Sequence, residues 1–303
     1  MLLGLAAGAA AGCGGTERGA DLLLISVDTL RADRVSAYGH RIGTTPVLDG
    51  LAASGVRFAN AVAPSSQTAP SHMSIFTGVD PTAHGIRNVN ATTLDPARVS
   101  KRLPMLPEFL MEAGYETAIV GDLGNVHPAY GFDRGFRHQA FESAGILDKL
   151  EPVEAILESV DPDEPLFLFF HTYQVHAPYV PPADWFGRFS DPAYDGAFRR
   201  RYDDLSGSDD AETHKGAGTF LEPFDGMAER DVEWLSDLYD DNVAYSDDCL
   251  GRLLDLWRSR RGGDGWIVVF SDHGEEFMEH GRLGHRAGLN RALTHAPVIF
   301  AGP

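Results

Sequence analysis

Three apolar runs in this chain are each followed at once by side chains able to bind a cation. "DLLLISV" leads into Asp28, "WIVVF" leads through Ser271 into Asp272 and His273, and "PLFLFF" leads into His171 and then His176. Two carboxylates and one imidazole, Asp28, Asp272 and His273, form an oxygen-rich donor set suited to one divalent ion, Mn, Mg, Ca or Zn, with calcium disfavoured by the imidazole. The hydroxyl of Thr68 in "SSQTAPSHMSIFTG" is the remaining unusual group. The sequence places it between a β-branched run and a helix opened by Pro70, where the helix dipole and unpaired N–H groups stabilise an alkoxide or an incoming oxyanion. A metal held by the two aspartates and His273 would acidify that hydroxyl further. Two readings stay open on the residues alone: Thr68 as a nucleophile, or Ser65, Ser66, Thr68 and Ser71 as competing caps of the helix that follows. An Asp after a strand is likewise a common cap or turn former.

Positioning such groups requires strands that all end on one edge. "DLLLISV" suits a fully buried strand, and "TTPVLDGLAASG" supplies Thr45 as N-cap, Pro46 at the first helical position and Gly55 as the stop. The rhythm continues with "VRFANAVA" as strand, Pro70 to Phe76 as a short helix, "LPMLPEFLMEAG" as helix, "YETAIVG" as strand, "ILDKLEPVEAILESV" as helix and "PLFLFFHTY" as strand. A long helix from about Ala228 to Arg260, then "WIVVF" and "APVIFAG" as strands, complete it. The alternation predicts an α/β fold, a three-layer α/β/α sandwich around a mostly parallel sheet, whose ligands bind beyond the carboxyl ends of the strands. Between Trp185 and Met227 the composition turns to Gly, Asp, Ser and Arg, which predicts an irregular insertion or lid at 185–227. The stop at Pro303, just after a strand, leads us to expect a C-terminally truncated piece of a longer protein.

The 303 residues carry 25 Lys and Arg against 44 Asp and Glu, a net charge of -19, so the basic surface that nucleic-acid binding needs is missing. A hydrophobic content of 43% supplies a core for one large domain. The terminus "MLLGLAAGAAAGC" is too short an apolar run to span a bilayer. It reads as a targeting segment, residues 1–13, followed by a flexible linker over 14–20 and a catalytic domain over 21–303. Its "AAGC" step resembles a lipobox, which predicts lipidation of Cys13, membrane attachment through that anchor and a periplasmic or cell-surface location. Cys249, inside a helical pattern, then reads as a small core residue.

In order and spacing, "ISVDTLRADRVSAYG", "TTPVLDGLAASGVRFANA", "TAPSHMSIFTGVDPTAHGI", "HTYQVHAPYVPP" and "VVFSDHGEEFMEHGRLGH" resemble the sulfatase-like branch of the alkaline phosphatase superfamily. The resemblance implies a metal-dependent hydrolase or transferase acting on sulfate or phosphate esters. Asp28, Asp272 and His273 fall on metal-ligand positions of the pattern and Thr68 on the nucleophile position. His72 stands where sulfatases carry an Arg, His176 matches the histidine of an "HxPY" segment, and His285 falls where a substrate-binding Lys is common. The chain departs from the pattern in two places. Thr29 replaces the second carboxylate of an Asp-Asp pair, and Thr68 cannot be converted to formylglycine as the Cys or Ser of a true sulfatase can. The resemblance therefore points to direct attack by Thr68, with His176, His285 and His72 binding the anion or protonating the leaving group, and to a phosphodiester-type substrate. A sulfatase acting without formylglycine, or a lipid-anchored anion-binding protein that has lost turnover, are the alternatives. The Asp-x-x-x-His set of Asp210 and His214, considered for a second metal, reads as a chance match.

Overall fold

The computed structural model describes residues 18–87, 98–142, 144–206, 220–224, 226–285 and 288–303. Its centre is a seven-stranded sheet built on β1 (Leu22–Val27), which is flanked by β5 (Leu166–Thr172) and β6 (Trp266–Phe270). Both pairings are parallel, with Leu22 opposite Phe167 on one side and Trp266 on the other. β3 (Glu116–Gly121) and β4 (His138–Phe141) extend the parallel sheet beyond β5. On the far side β9 (Val298–Ala301) runs antiparallel to β6, and β2 (Val56–Arg57) closes that edge. A two-residue hairpin, β7 (Glu276–Phe277) with β8 (Leu283–Gly284), stands apart.

The period-two pleat divides each central strand between two cores. On β5, Leu166, Leu168 and Phe170 join one cluster while Phe167 and Phe169 join the other, so both faces are apolar and the strand reads as an unbroken hydrophobic run. The first face is covered by α1 (Pro46–Ser54), α5 (Leu150–Ser159) and α7 (Glu229–Arg261), with Leu235, Leu238, Leu250, Leu253 and Trp257 of α7 buried. The second face receives α2 (Thr68–Thr77) and α4 (Leu106–Glu112), through Met73 and Phe76 of α2 and Leu110 of α4, while α3 (Pro81–His84) joins α2 through the hydrogen bond between Ser74 and His84 (3.0 Å). The result is the predicted three-layer sandwich.

Local details differ from the expectation in instructive ways. The strand expected over "VRFANAVA" is reduced to Val56–Arg57 plus a bridge between Val62 and His295, because Val56 and Val62 are 60% and 73% exposed and lie outside the core. Helix α2 begins at Thr68, two residues before Pro70. The first four N–H groups of a helix need no intrahelical partner, so a proline in the third position breaks no bond.

Helix α1 starts after Thr45 as predicted, yet the Thr45 hydroxyl receives the amide of Ser36 (2.9 Å). Its first amides, Val47 and Leu48, are capped instead by Asp247 of α7 at 2.8 and 3.0 Å. Within the expected insertion, α6 (Ala197–Ser206) packs Phe198 and Tyr202 into the core, and Tyr194 stacks on Trp234 at 4.5 Å. Cys249 is fully buried. Cys13, Asp210 and His214 lie outside the described residues, among which no helix is long and apolar enough to cross a membrane.

Candidate active site

Register alone brings the strand ends together. Val27 faces Thr172 across β1 and β5, and Ser26 faces Phe270 across β1 and β6, so Asp28, Asp272 and His273 emerge side by side at one edge. The amide of Asp28 bonds the carbonyl of Thr172 (3.0 Å), and the amide of Thr29 reaches Asp272 Oδ1 (3.3 Å). Thr29 holds a left-handed backbone, φ 59°, and its carbonyl receives the Tyr239 hydroxyl (2.8 Å). The residue that replaces a family carboxylate thus contributes its main chain to the site. Arg31 ties the loop after β1 to the loop after β6 by donating to the carbonyl of Glu275 (2.8 Å).

Asp28, Asp272 and His273 are completely buried and offer ligand atoms that all lie within 4.8 Å of one another. Both carboxyl oxygens of Asp28 and Oδ2 of Asp272 lack any hydrogen-bond partner. Burying carboxylates without partners costs several kcal/mol for each ion. Burial and then the charge of Asp272 push the Asp28 carboxyl well above the usual range, against a lowering influence from the Thr68 hydroxyl. Burial also opposes ionisation of Asp272, but His273 and His72 beside it hold it below that range. The imidazole of His273 donates Nδ1–H to the carbonyl of Gly274 (3.0 Å), which leaves the lone pair on Nε2, 3.3 Å from Asp272 Oδ2. Orphaned oxygens, a neutral imidazole lone pair and close spacing make this donor set fit one divalent cation.

Thr68 Oγ1 lies 3.5 Å from His273 Nε2, in the first turn of α2. Helix and ligands are bolted together, since Ser71 of the same turn donates to the carbonyl of Asp272 (2.7 Å). His72 lies behind them, fully buried among Phe132, Phe169 and Phe270. It gives Nδ1–H to the carbonyl of Thr68 (2.9 Å), and its Nε2 pairs with the Ser26 hydroxyl (2.7 Å). Expected to meet the substrate anion, His72 instead has both nitrogens engaged within the protein, a placement that supports the helix start.

The open side carries the half-buried His176 and His285, whose rings are 4.9 Å apart, with His285 4.6 Å from His273. His176 donates Nδ1–H to the carbonyl of Ala177 (2.6 Å), and burial followed by the nearby His285 brings its pKa down to about 4. His285 pairs through Nδ1 with Glu275 Oε1 (2.7 Å). All seven residues singled out in the sequence therefore share one site. The sequence reading missed Glu275, a fully buried carboxylate that orients His285, although its place three residues after Asp272 in "SDHGEE" put it within reach.

Comparison with known proteins identifies relatives of the whole fold. A curated "Sulfatase" from Formosa agariphila is 28% identical over 338 residues, covering 93% of this chain and 64% of its own length. The phosphonate monoester hydrolase of Agrobacterium radiobacter has a TM-score of 0.73 at 20% identity, over 94% of this chain and 68% of that one. The C-terminal periplasmic domain of the phosphoethanolamine transferase EptC from Campylobacter jejuni has a TM-score of 0.63 at 20% identity, over 93% and 79%. The chain spans about 62–64% of the length of the curated relatives that match most of it. These structural likenesses fix the fold, and the sequence model named Sulfatase matches residues 20–303, the whole sheet and every residue of the site: the chain belongs to the sulfatase family.

Proposed function

We propose that this chain is the catalytic portion of a metal-dependent hydrolase or transferase that cleaves phosphate or sulfate esters through Thr68, with a phosphodiester-type substrate favoured. The observation that carries the reading is the Thr68 hydroxyl, 3.5 Å from His273 Nε2 at the start of α2, beside two buried aspartates whose oxygens have no protein partner. Asp28, Asp272 and His273 would hold one divalent ion. When bound, such an ion supplies positive charge that acidifies a hydroxyl and neutralises ester oxygens, worth several kcal/mol.

The chain's own residues divide the remaining work. Thr68 gives up its hydroxyl proton to solvent, its Oγ1 attacks the phosphorus in line, and the bond from phosphorus to the leaving oxygen breaks. His285, whose imidazolium Glu275 stabilises, gives its proton to that oxygen. His176 on the open side, whose Nδ1–H is held by the Ala177 carbonyl, binds the ester anion through Nε2 once that nitrogen takes up a proton. Helix α2 directs its positive end at the reacting group, while His72 and Ser71 hold its first turn against the ligands. Hydrolysis of the adduct, or its transfer to an acceptor, then frees Thr68.

Family membership supports a sulfate ester as the second reading, because the matched model is that of sulfatases. Threonine, however, cannot form the aldehyde hydrate through which a formylglycine enzyme expels sulfate, so a Thr68 adduct must be cleaved at phosphorus or sulfur. We also propose that Cys13 is lipidated and holds the domain at a membrane surface. The deciding experiment assays the full-length protein on aryl sulfate, phosphate monoester and phosphodiester panels, with Thr68→Ala and Thr68→Ser alongside. Thr68→Ala should lose turnover by orders of magnitude with metal content intact, Thr68→Ser should keep part of it, and rapid quenching should trap a phosphorylated Thr68 peptide. Near wild-type rates in Thr68→Ala would remove the nucleophile assignment. Faster turnover of aryl sulfates than of every phosphorus ester would favour the sulfatase reading.

A further inference from the structure

Next to the ligands lies a group of buried polar residues that the reaction above does not use. His171, the next-to-last residue of β5, is completely buried, and neither ring nitrogen has a hydrogen-bond partner. Its Nε2 is 3.5 Å from Asp28 Oδ2, itself unpartnered, and its Nδ1 is 3.8 Å from Asp122 Oδ2. Asp122, just beyond β3, has ample partners: the ammonium of Lys149, the amide of Tyr173 (3.1 Å) and the amide of Ala144 (3.4 Å). Lys149 is fully buried as well and also donates to the main-chain carbonyl of His171 (3.1 Å). The ion pair thus grips His171 by its backbone and stands at the far side of its ring. Edge contacts from Tyr173 at 4.7 Å and His72 at 5.1 Å limit the ring's rotation.

Buried polar groups without partners call for an explanation, and two of them facing each other at 3.5 Å supply one. A neutral imidazole has a single N–H to give. On the Nδ1 side the acceptor is 3.8 Å away and already occupied, whereas on the Nε2 side stands a carboxylate oxygen to which no hydrogen-bond donor is aligned. Metal-ligating carboxylates are themselves held by hydrogen bonds from residues behind them, and loss of such a partner typically weakens metal affinity 10–100-fold. We propose that His171 is a positioning residue for the metal centre: it donates Nε2–H to Asp28 Oδ2 and fixes that carboxylate for the ion, with the buried pair of Lys149 and Asp122 setting the ring.

This inference rests on the metal reading above, and titration calorimetry with Mn²⁺ separates the two. In the full chain, His171→Leu should weaken Mn²⁺ binding by about 10–100-fold while the urea midpoint in EDTA stays at or above the wild-type value. His171→Gln, whose amide nitrogen reaches the Nε2 position, should restore affinity to within a few-fold of wild type. His171→Asn, whose amide reaches only the Nδ1 position, should not. The double variant Lys149→Met with Asp122→Asn, which leaves no lone buried charge, should weaken binding in the same direction by a smaller factor. Should His171→Leu fail to fold, the contrast between Gln and Asn decides the question. Wild-type affinity in His171→Leu, or equal affinities for Gln and Asn, would overturn the inference and leave the metal reading standing; a wild-type protein that binds no Mn²⁺ would overturn both.

Discussion

Replacing Asp28 by Asn should separate the electrostatic cost of the empty donor set from the benefit of filling it. The ligand atoms of Asp28 and Asp272 lie within 4.8 Å of each other and are buried. Two unit charges at that separation repel by about 3.5 kcal/mol at an effective dielectric of ~20. The wild-type carboxyl, pushed well above the usual range, relieves part of this repulsion by taking up a proton. Asn keeps the shape and removes the charge, so in EDTA the variant should be more stable by about 2–3 kcal/mol, or ~1 M in urea midpoint at an m-value near 3 kcal/mol/M. At 100 times the dissociation constant a ligand stabilises its protein by about 2.7 kcal/mol. Excess Mn²⁺ should therefore raise the wild type by that amount, leave Asp28→Asn unmoved and nearly close the gap between them. Urea denaturation followed by tryptophan fluorescence, in EDTA and in saturating Mn²⁺, reads both effects. A variant less stable than wild type in EDTA, or one that still gains stability from Mn²⁺, would refute the reasoning.

Two further outcomes follow from groups near and far from the chemistry. Glu275→Gln removes the charge behind His285 at nearly constant shape; turnover of an aryl phosphodiester should fall by about 10–100-fold while Mn²⁺ affinity changes little, and a parallel loss of both would assign Glu275 to the metal instead. Asp247 is pushed up to about 7 by burial, against the amides of Val47 and Leu48 that it caps and with Asp49 and Asp248 adding to the rise. Its folded pKa being raised, its contribution is fully present below the unfolded value of ~3.9 and is lost as pH climbs through about 7. Asp247→Asn, neutral throughout, should therefore gain on the wild type between pH 5 and pH 7.5 in urea midpoints measured in EDTA, and a constant difference across that window would show that Asp247 is ionised throughout.

Much of this architecture could be read from the chain because its central strands are buried on both faces. Continuous runs such as "DLLLISV" and "PLFLFF" are what that burial requires, and Asp28 and His171 follow them directly. β4 escaped notice because "HQAF" is a half-buried stretch held by its pairing with β3. "VRFANAVA" misled for the opposite reason: its β-branched residues look like a strand but lie on the surface. At the site, the grouping of Thr68 with Asp28, Asp272 and His273 was legible from position and family pattern. The supporting groups were not. Asp122 and Lys149 belong to different elements 27 residues apart, and no local pattern marks a lysine as buried. His72 looked like a substrate ligand because the sequence could not show that Ser26 and the Thr68 carbonyl occupy its nitrogens.

The central position of β1 has a consequence for the order of events during synthesis. Its two neighbours are β5 and β6, so Leu22 must wait for Phe167 on one side and Trp266 on the other. At roughly 5–20 residues per second, the "LLLISV" segment is made about 7–30 s before its first strand partner. It is one of the most apolar stretches in the chain, and for that interval it has no edge to join. Pairings this distant in sequence form slowly because loop closure precedes the contacts that reward it. The nascent chain must therefore keep its first strand from aggregating until β5 has emerged, and Asp28 cannot meet Asp272 until β6 follows.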